Sequence, residues 1–518
     1  MNGHFKPNNP MKKHFLLLLA ILIATPILKA GYTLPGAGIA NDPYLISTTS
    51  QLKEVSDSIN NDVAATPYKY RDKYYKVIAN IDMSHVDWIP IGKSATSPFL
   101  GNFDGNNKII SNLRIGTITT PTSNQLSGFF GLVNFGAVVK NVILENIMFN
   151  TQSELTGDMV SAAICAQVAN SATIQNCHVS GSIKVVYKGL APVSGSTGNM
   201  IVGGIVGKMN AANNIPTTVI NCSSNLNIIA LDSTTLINNS GANNHGIGGI
   251  VGSGVVTGAP IRPQVINSYS VGAIYAESNS KDIGVGGAIG RNSPALECCY
   301  SGTNITVKTI GGNINASGVV GIRGGTLNYA IALNDFVRAI TTSGTINSVY
   351  RIFNDNLSGT DLYASEAMKL WKVVDRVETD VTQIQSENYG TTKIMGENLG
   401  TTKPEDLLNT YVNDFVRVRG IDLLKWTVTE GANNNKLVFQ NTYLPQATAV
   451  KQMKLTGVKV YSGNGKLVLE GETNNVQISV YNTTGQLVWN AKKTNERMEI
   501  NLTKGIYLVQ GIGKVIVY

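Results

Sequence analysis

Two short elements recur in fixed order along the middle of this chain, and no other feature restricts its fold so strongly. The first has the core Gly-Φ-Φ-Gly, where Φ is apolar. It occurs in SGFFGLV (Gly128, Gly131), VGGIVGK (Gly204, Gly207), GIGGIVG (Gly249, Gly252), VGGAIGR (Gly287, Gly290) and ASGVVGI (Gly318, Gly321), with a weaker copy in SAAICAQ from Ser161. The second element follows each copy by roughly 10 to 18 residues: VVKNVIL from Val138, ATIQNCHV from Ala172, TVINCSS from Thr218, QVINSYS from Gln264, ALECCYS from Ala295 and TLNYAI from Thr326. Copies stand roughly 30 to 45 residues apart, inside the range of solenoids, propellers and arrays.

A stacked coil accounts for this pattern. In a β-solenoid each coil gives short strands that pair in parallel with the coils above and below. Tight corners need residues that tolerate positive φ or close backbone approach, and glycine does both. Of the apolar pair between the glycines, one side chain is expected to fill the core, because neighbours on a strand point to opposite faces. Aligning the second element places Asn141, Asn176, Asn221, Asn267, Cys298 and Asn328 at one repeat position, and Val142, Cys177, Cys222, Ser268, Cys299 and Tyr329 at the next. Stacking would turn the first set into an amide ladder and bury the second set as small core residues. Five cysteines in all, most of them at these repeat positions, then read as buried free thiols. A disulfide between directly stacked parallel positions would be strained. Cys298-Cys299 has no histidine or second cysteine pair at ligand spacing, so no metal is expected.

GIGGIVG also looks like a glycine-rich phosphate loop. That fingerprint needs a preceding strand, a following helix and an acid about twenty residues on. Here SGVVTGAPIRPQ follows, and Pro260 and Pro263 exclude a packed helix. No nucleotide and no other cofactor is expected.

Composition supports an exported β-rich protein. Charged residues are 14% of the 518, against roughly 25% in an average soluble protein. Met11-Lys12-Lys13-His14, the apolar FLLLLAILIA and TPILKA read as a secretory signal peptide over residues 1–30, cut near Ala30 and Gly31, with Met11 a natural start. The stretch is short for a transmembrane span. Much of the net charge of +8 sits at the ends, with Lys6, Lys12, Lys13 and Lys29 in the signal region and nine Lys/Arg against four Glu in 451–518. The near-neutral middle argues against nucleic acid as a partner.

Residues 31–125 read as an N-terminal cap and first coils. Leu52, Val55 and Ile59 share a helical face behind a Thr48, Thr49 or Ser50 cap. Asp82, Asp87 and Asp104 are read as turn caps rather than catalytic acids. Residues 126–340 are the repeats. Residues 341–440 are read as a C-terminal capping region, with SEAMKLWKVVDRVETDVTQIQ helical on a Met368, Trp371, Val374 and Val377 stripe, and LKWTVTEGANNNKLVF a hairpin. A linker over 441–456 leads to residues 457–518, whose alternating strands and SGNG, NTTG and KG turns read as a small antiparallel β-sandwich. The expected fold is all-β: a parallel β-helix with a helical N-terminal cap and a C-terminal sandwich.

The chain from about 40 to 340 resembles GLUG-motif proteins, exported bacterial surface proteins that include IgA-protease-like and adhesin-like chains. NDPYLISTTSQLKEV, KYYKVIANIDMS, WIPIG, FLGNFDGNNKIISNLRI and GFFGLVNFGAVVKNV occur in that order, followed by the Gly-Gly-Ile-Val-Gly and Asn-Cys-like repeats. The resemblance implies a parallel β-helix and a surface role, and it supplies no catalytic residues. The tail is similar to C-terminal sorting domains of Bacteroidetes that use the type IX (Por) secretion system, through VYNTTGQLV and KGIYLVQ with Gly505 and Tyr507. The resemblance implies that the secretion machinery is a partner.

The expected function is therefore a non-enzymatic surface or adhesin-like protein that binds a glycan or protein ligand. A β-helix lyase or glycosidase is the alternative. It needs paired carboxylates, and the coil acids Glu145, Glu154, Asp158, Asp232, Glu277, Asp282, Glu297 and Asp335 fall at different repeat positions. A protease is disfavoured, because no His-Glu-x-x-His occurs and His4, His14, His85, His178 and His245 are scattered.

Overall fold

The computed structural model describes residues 34–517, apart from 63–66, 118–119, 124, 154–156, 189–197, 212–214, 235–244, 257–260, 280, 292–293, 323, 354–358, 383–395, 429–436, 444–458, 464–465, 471–475, 483–486, 494–496, 504 and 510–512. The signal region, with Ala30 and Gly31, and most of the linker lie outside the described residues.

One coil shows how the repeat folds. Thr218–Ile220 forms a short strand, Asn221 and Cys222 turn the corner, and Ser223–Asp232 continues as a longer strand. His245–Gly248 follows, then a corner at Gly249 and Ile250, then Val251–Val256. The next coil begins at Gln264. Each strand pairs in parallel with its equivalents in adjacent coils, as in Ser223 with His178 on one side and Tyr269 on the other. Three stacks result: a 21-stranded sheet, a seven-stranded sheet and a five-stranded sheet. Their inner faces share one continuous core.

The glycine corner folds inward. Ile250 and Val251 are both fully buried in that core, whereas alternation along a strand predicts one in and one out. The reason is that the chain turns between them, so both point from the apex into the interior. Behind the apex the outer faces of the two smaller sheets meet. A Cβ on Gly252 would lie 2.8 Å from Val202 O, and one on Gly290 would lie 2.3 Å from Ile247 N. Glycine is required here by backbone contact between sheets rather than by positive φ. The Gly249 and Ile250 amides donate to Gly287 O and Ala288 O of the next coil at 2.9 and 2.8 Å. These amide groups are committed to the parallel stack, in a strand–corner–strand unit with no helix.

The asparagine corner depends on positive φ. Asn141, Asn176, Asn221 and Asn267 all have φ of 46° to 54°, the left-handed region where Asn is several-fold enriched among non-glycine residues. Cys298 follows at 54°, and then Tyr329 and Asp361 at 51° and 52°. The register pairs Glu297 with Asn328 and Cys299 with Ala330. The expected alignment is thus one residue out in its last copy: Tyr329 holds the corner, Ala330 is the buried small residue, and Asn328 lies outside the ladder. Sequence spacing could not reveal this, because the preceding loop differs in length.

At the N-terminus helix α1 (Thr49–Asn61) forms as expected. The Thr48 side chain accepts from Gln51 N, and Leu52, Val55 and Ile59 are buried. It is tied to the first coils by Ser56 Oγ donating to Ile89 O (2.6 Å) and Asn60 Nδ2 donating to Pro90 O (2.9 Å).

Residues 341–440 differ most from expectation. The coils do not end at 340: Thr360–Ala364 and Lys369–Val374 stack in parallel on the coil before them, and Glu397–Asn398 pairs with Tyr363 and Ala364. The expected helix over 365–385 is absent from its described residues, 365–382. Lys369–Val374 instead turns at Asp375 and Arg376 into Val377–Asp380. Of the supposed helical stripe only Met368 is fully buried, while Val374 and Val377 flank the turn at 50% and 68% exposure. The β-branched pair Val373-Val374 and the open ladder of Phe336–Thr341 override the local helical spacing.

Helix α2 (Pro404–Asp414) and the expected hairpin, Trp426–Val428 with Leu437–Phe439, are present. They form a strap along the side of the stack rather than a cap on its end. Leu408, Tyr411, Val412, Leu423, Trp426, Leu437 and Phe439 make a second core with Ile220, Ile266, Tyr269, Val271, Cys298, Tyr300 and Ile331 on the outer surface of the coils. Tyr443, assigned to the linker by sequence, donates to Glu145 Oε1 at 2.6 Å and belongs to this strap.

The C-terminal unit is two antiparallel sheets of three and four strands between Lys459 and Val517, with Leu467, Leu469, Ile478, Val480, Ile500, Tyr507 and Val509 inside. Tyr507 Oη donates to Thr503 O at 2.8 Å, and Gly505 opens the strand that carries it.

Candidate functional site

The acids singled out by sequence that lie among the described residues are engaged by hydrogen-bond partners. Asp82 accepts from Ser84 N and Asn112 Nδ2, Asp87 from Gly116 N, and Asp104 from Asn106 N and Asn141 Nδ2. Glu277 is bonded to Lys308 and Tyr275, Asp282 to Asn313 N, Glu297 to Tyr411, and Asp335 to Asn304. Glu154 lies outside the described residues.

Asp232 and His245 form the most enzyme-like pair, at the foot of one coil's longest insertion. Both are buried, and His245 Nε2 donates to Asp232 Oδ2 at 3.0 Å. Ser278 Oγ donates to the same oxygen at 3.3 Å. However, His245 Nδ1 accepts from Met200 N at 2.9 Å, so both ring nitrogens are in use. Burial holds the ring below its ordinary pKa despite the carboxylate. Burial also raises Asp232, but the hydrogen bonds from His245 and Thr234 outweigh it and leave the carboxyl below its usual range. Beside it Lys281 is 1% exposed, donates to Gly198 O and sits 5.4 Å from the Tyr187 ring centre. Burial pulls its ammonium down to about 8. A histidine with both nitrogens committed in a sealed cluster cannot relay a proton to a ligand. The cluster clamps coils together.

An accessible cleft opens on the first coils, where the outer faces of the two smaller sheets diverge. It encloses about 530 Å³ between Ile89, Lys93, Ser94, Ser123, Gln125, Leu126, Asp158, Val160, Gln167 and Lys208. Stacking places Gln167 beside Lys208 on neighbouring strands. Lys208 Nζ donates to Asp158 Oδ2 at 2.9 Å, and Asn199 N donates to Asp158 Oδ1 at 2.9 Å. Burial raises the Asp158 carboxyl, but the lysine and the amide more than offset this and hold it below the ordinary range. Asp158 is the only acid lining the cleft among the described residues. The cleft offers two cations, a carboxylate, two amides and two hydroxyls. That is a set suited to hydrogen-bonding a polar ligand, without the second carboxylate of a glycosidase. Sequence reasoning named Asp158 without a role and missed Lys93, Gln125, Gln167 and Lys208, which converge only through the stack.

The asparagine ladder forms as its spacing implies. Asn176 Nδ2 donates to Asn141 Oδ1 (3.1 Å), Asn221 to Asn176 (3.0 Å) and Asn267 to Asn221 (2.8 Å). Cys165, Cys177, Cys222, Cys298 and Cys299 are buried and unpaired. Burial pushes the Cys177 and Cys299 thiols well up. Among the described residues no group of three or more His, Cys, Asp or Glu could hold a metal, and no helix is long and apolar enough to cross a membrane.

Comparison with known proteins bears mainly on the tail. Residues 463–514 match the family model described as the secretion system C-terminal sorting domain. Halomucin of Haloquadratum walsbyi is 26% identical over 185 residues, 34% of this chain; the chain spans 2% of that protein's length. A crystal structure from Bacteroides ovatus, described as "a putative immunoglobulin A1 protease", shares 19% identity with a TM-score of 0.47, covering 78% of this chain and 94% of that one. The sorting domain marks the chain as exported, for release or attachment at the cell surface, with the secretion machinery as a partner.

Proposed function

We propose that the solenoid is a non-enzymatic, adhesin-like binding module, carried outside the cell by its sorting domain, and that it takes a hydroxyl-rich glycan in the cleft at Lys93, Gln125, Asp158, Gln167 and Lys208. The observation that carries this reading is the cleft itself: an open concavity of about 530 Å³ in which polar side chains stand among apolar ones, within the size range of small-ligand sites. Its single carboxylate, held charged by Lys208, supports binding rather than hydrolysis, because a glycosidase acid must keep its proton near neutral pH.

The test uses the full chain on an array of glycans and matrix proteins, with reducing ends assayed in parallel after incubation with each retained polysaccharide. Retention without new reducing ends, weakened about tenfold or more by Lys208→Glu through loss of a charged hydrogen bond, is the expected result. Turnover that Asp158→Asn abolishes would replace this reading with the enzymatic one. Retention unaffected by Lys208→Glu would move the ligand away from the cleft.

A further inference from the structure

The four asparagine rungs share one backbone geometry but are not equally occupied. Asn221 Nδ2 donates to Asn176 Oδ1 and to Asp422 O (2.7 Å), and its Oδ1 accepts from Asn267 Nδ2 and Leu424 N (3.2 Å). Asn267 Nδ2 donates to Asn221 Oδ1 and to Leu424 O (2.9 Å). Its Oδ1 accepts from Trp426 Nε1 (2.8 Å) and the Cys298 thiol. Both rungs thus use two donors and two acceptor positions. Most of what lies outside the ladder is main-chain N–H and C=O of the strap, so at these rungs the ladder already binds peptide groups.

The strap also passes Asn141 and Asn176, but the side-chain hydrogen bonds of these two rungs stay within the ladder. Within the ladder each makes one donor bond and one acceptor bond. An amide side chain has two N–H groups and two lone pairs, so half of each remains available. Both line a cavity of about 270 Å³, bounded also by Asn107, Ile143, His178, Leu424 and Asn441 to Tyr443. His178 forms its wall at 1% exposure. Its Nδ1 pairs with Ser223 Oγ at 2.8 Å, its ring leans on Phe439, and its other nitrogen has no hydrogen-bond partner among the described residues.

We propose that this cavity binds a secondary amide, presented as the N-acetyl group of an amino sugar or as a single peptide unit. Asn141 and Asn176 read its C=O and N–H as Asn221 and Asn267 read the strap, and His178 supplies a third polar contact. A volume just below that of ordinary small-molecule pockets fits a group of this size. The site is separate from the Asp158–Lys208 cleft and does not depend on it.

Calorimetry and saturation-transfer NMR on the full chain would use N-acetylglucosamine and N-acetylglycine methylamide as probes, with glucose and methyl acetate as controls lacking the amide N–H. At least one amide probe should bind about tenfold or more tightly than its control, the cost of leaving polar groups unpaired. The preferred probe identifies the source of the amide. Thr442→Trp fills the cavity from the strap without touching a ladder bond and should abolish binding. Asn176→Asp keeps the shape, removes the donor and should weaken binding. Lys208→Glu should leave the binding of N-acetylglycine methylamide, which is not a sugar, unchanged, and this separates the site from the proposed glycan cleft. Equal binding of amide and control probes, no binding by any probe to the folded chain, or undiminished binding in Thr442→Trp would overturn the proposal.

Discussion

Adding one methyl group at Gly249 tests the inward corner directly. A Cβ there would lie 2.1 Å from Gly287 O and 2.6 Å from Ser270 Cβ, where ordinary contact begins at 3.4 Å. The obstructing atom is backbone of the next coil, so no side chain can rotate away. The coils must part by more than an ångström. That breaks the parallel bonds Gly249 N to Gly287 O, Ile250 N to Ala288 O and Val251 N to Ala288 O, now 2.9, 2.8 and 3.0 Å. Buried donors left unpaired cost about 1–3 kcal/mol each, and overpacking costs about 1–3 kcal/mol; partial relaxation brings the expected loss to about 3–6 kcal/mol. Gly136→Ala is the control. Its φ of +75° is strained for alanine, but nothing lies within 4 Å, so its cost is only the left-handed term of about 1–2 kcal/mol. Stability of a stacked array is a sum of coil and interface terms. Amide exchange should therefore be read beside the urea midpoint, with protection lost first at Ile250, Val251 and the facing strand Ile289–Arg291. If Gly249→Ala proved no worse than Gly136→Ala, the claim that close stacking of one coil's corner on the next demands this glycine would be wrong.

Three further outcomes are expected. Trp426→Ala removes a side chain 3% exposed that touches Tyr269, Tyr300 and Phe439; it should cost the strap about 3–5 kcal/mol, seen as protease cleavage within 399–443 while the coils stay intact. Burial holds the His178 ring down at about 3 against an ordinary value near 6.5, so the unfolded chain binds a proton that the folded one refuses. Stability is then full above about pH 7 and falls by roughly 2 kcal/mol toward pH 5 from this residue alone, and His178→Phe should reduce that slope in urea titrations. Deletion of 457–518 should leave the solenoid's thermal transition in place but retain the protein inside the cell, read by fractionation of cultures; export of the truncated chain would remove the assigned role of the sorting domain.

Much of the coil was legible before any coordinates, because its physics is local. A left-handed corner wants Asn or Gly, and a residue that packs directly behind it must be small. Helix α1 was legible for the same reason: Thr48 caps it, and Leu52, Val55 and Ile59 repeat at helical spacing. The misplacement of Tyr329 shows the limit. Register across a loop is set by hydrogen bonding between coils, which spacing along the chain does not encode. The strand Lys369–Val374 shows another, since its spacing suits a helix and only the waiting edge of Phe336–Thr341 makes it a strand.

The sequence by itself determined that the chain is a stack of parallel coils with an asparagine corner, buried thiols and an export tail, since those follow from residue types at a repeating interval. Only the tertiary structure decided what surrounds the stack. Tyr269 and Tyr300 look like ordinary strand residues, yet they point outward and are buried because a segment more than a hundred residues later lies across them. The cleft at Asp158 and Lys208 and the open rungs at Asn141 and Asn176 arise the same way. Each joins side chains from different coils, brought within hydrogen-bonding distance by stacking, and no interval along the chain records that distance.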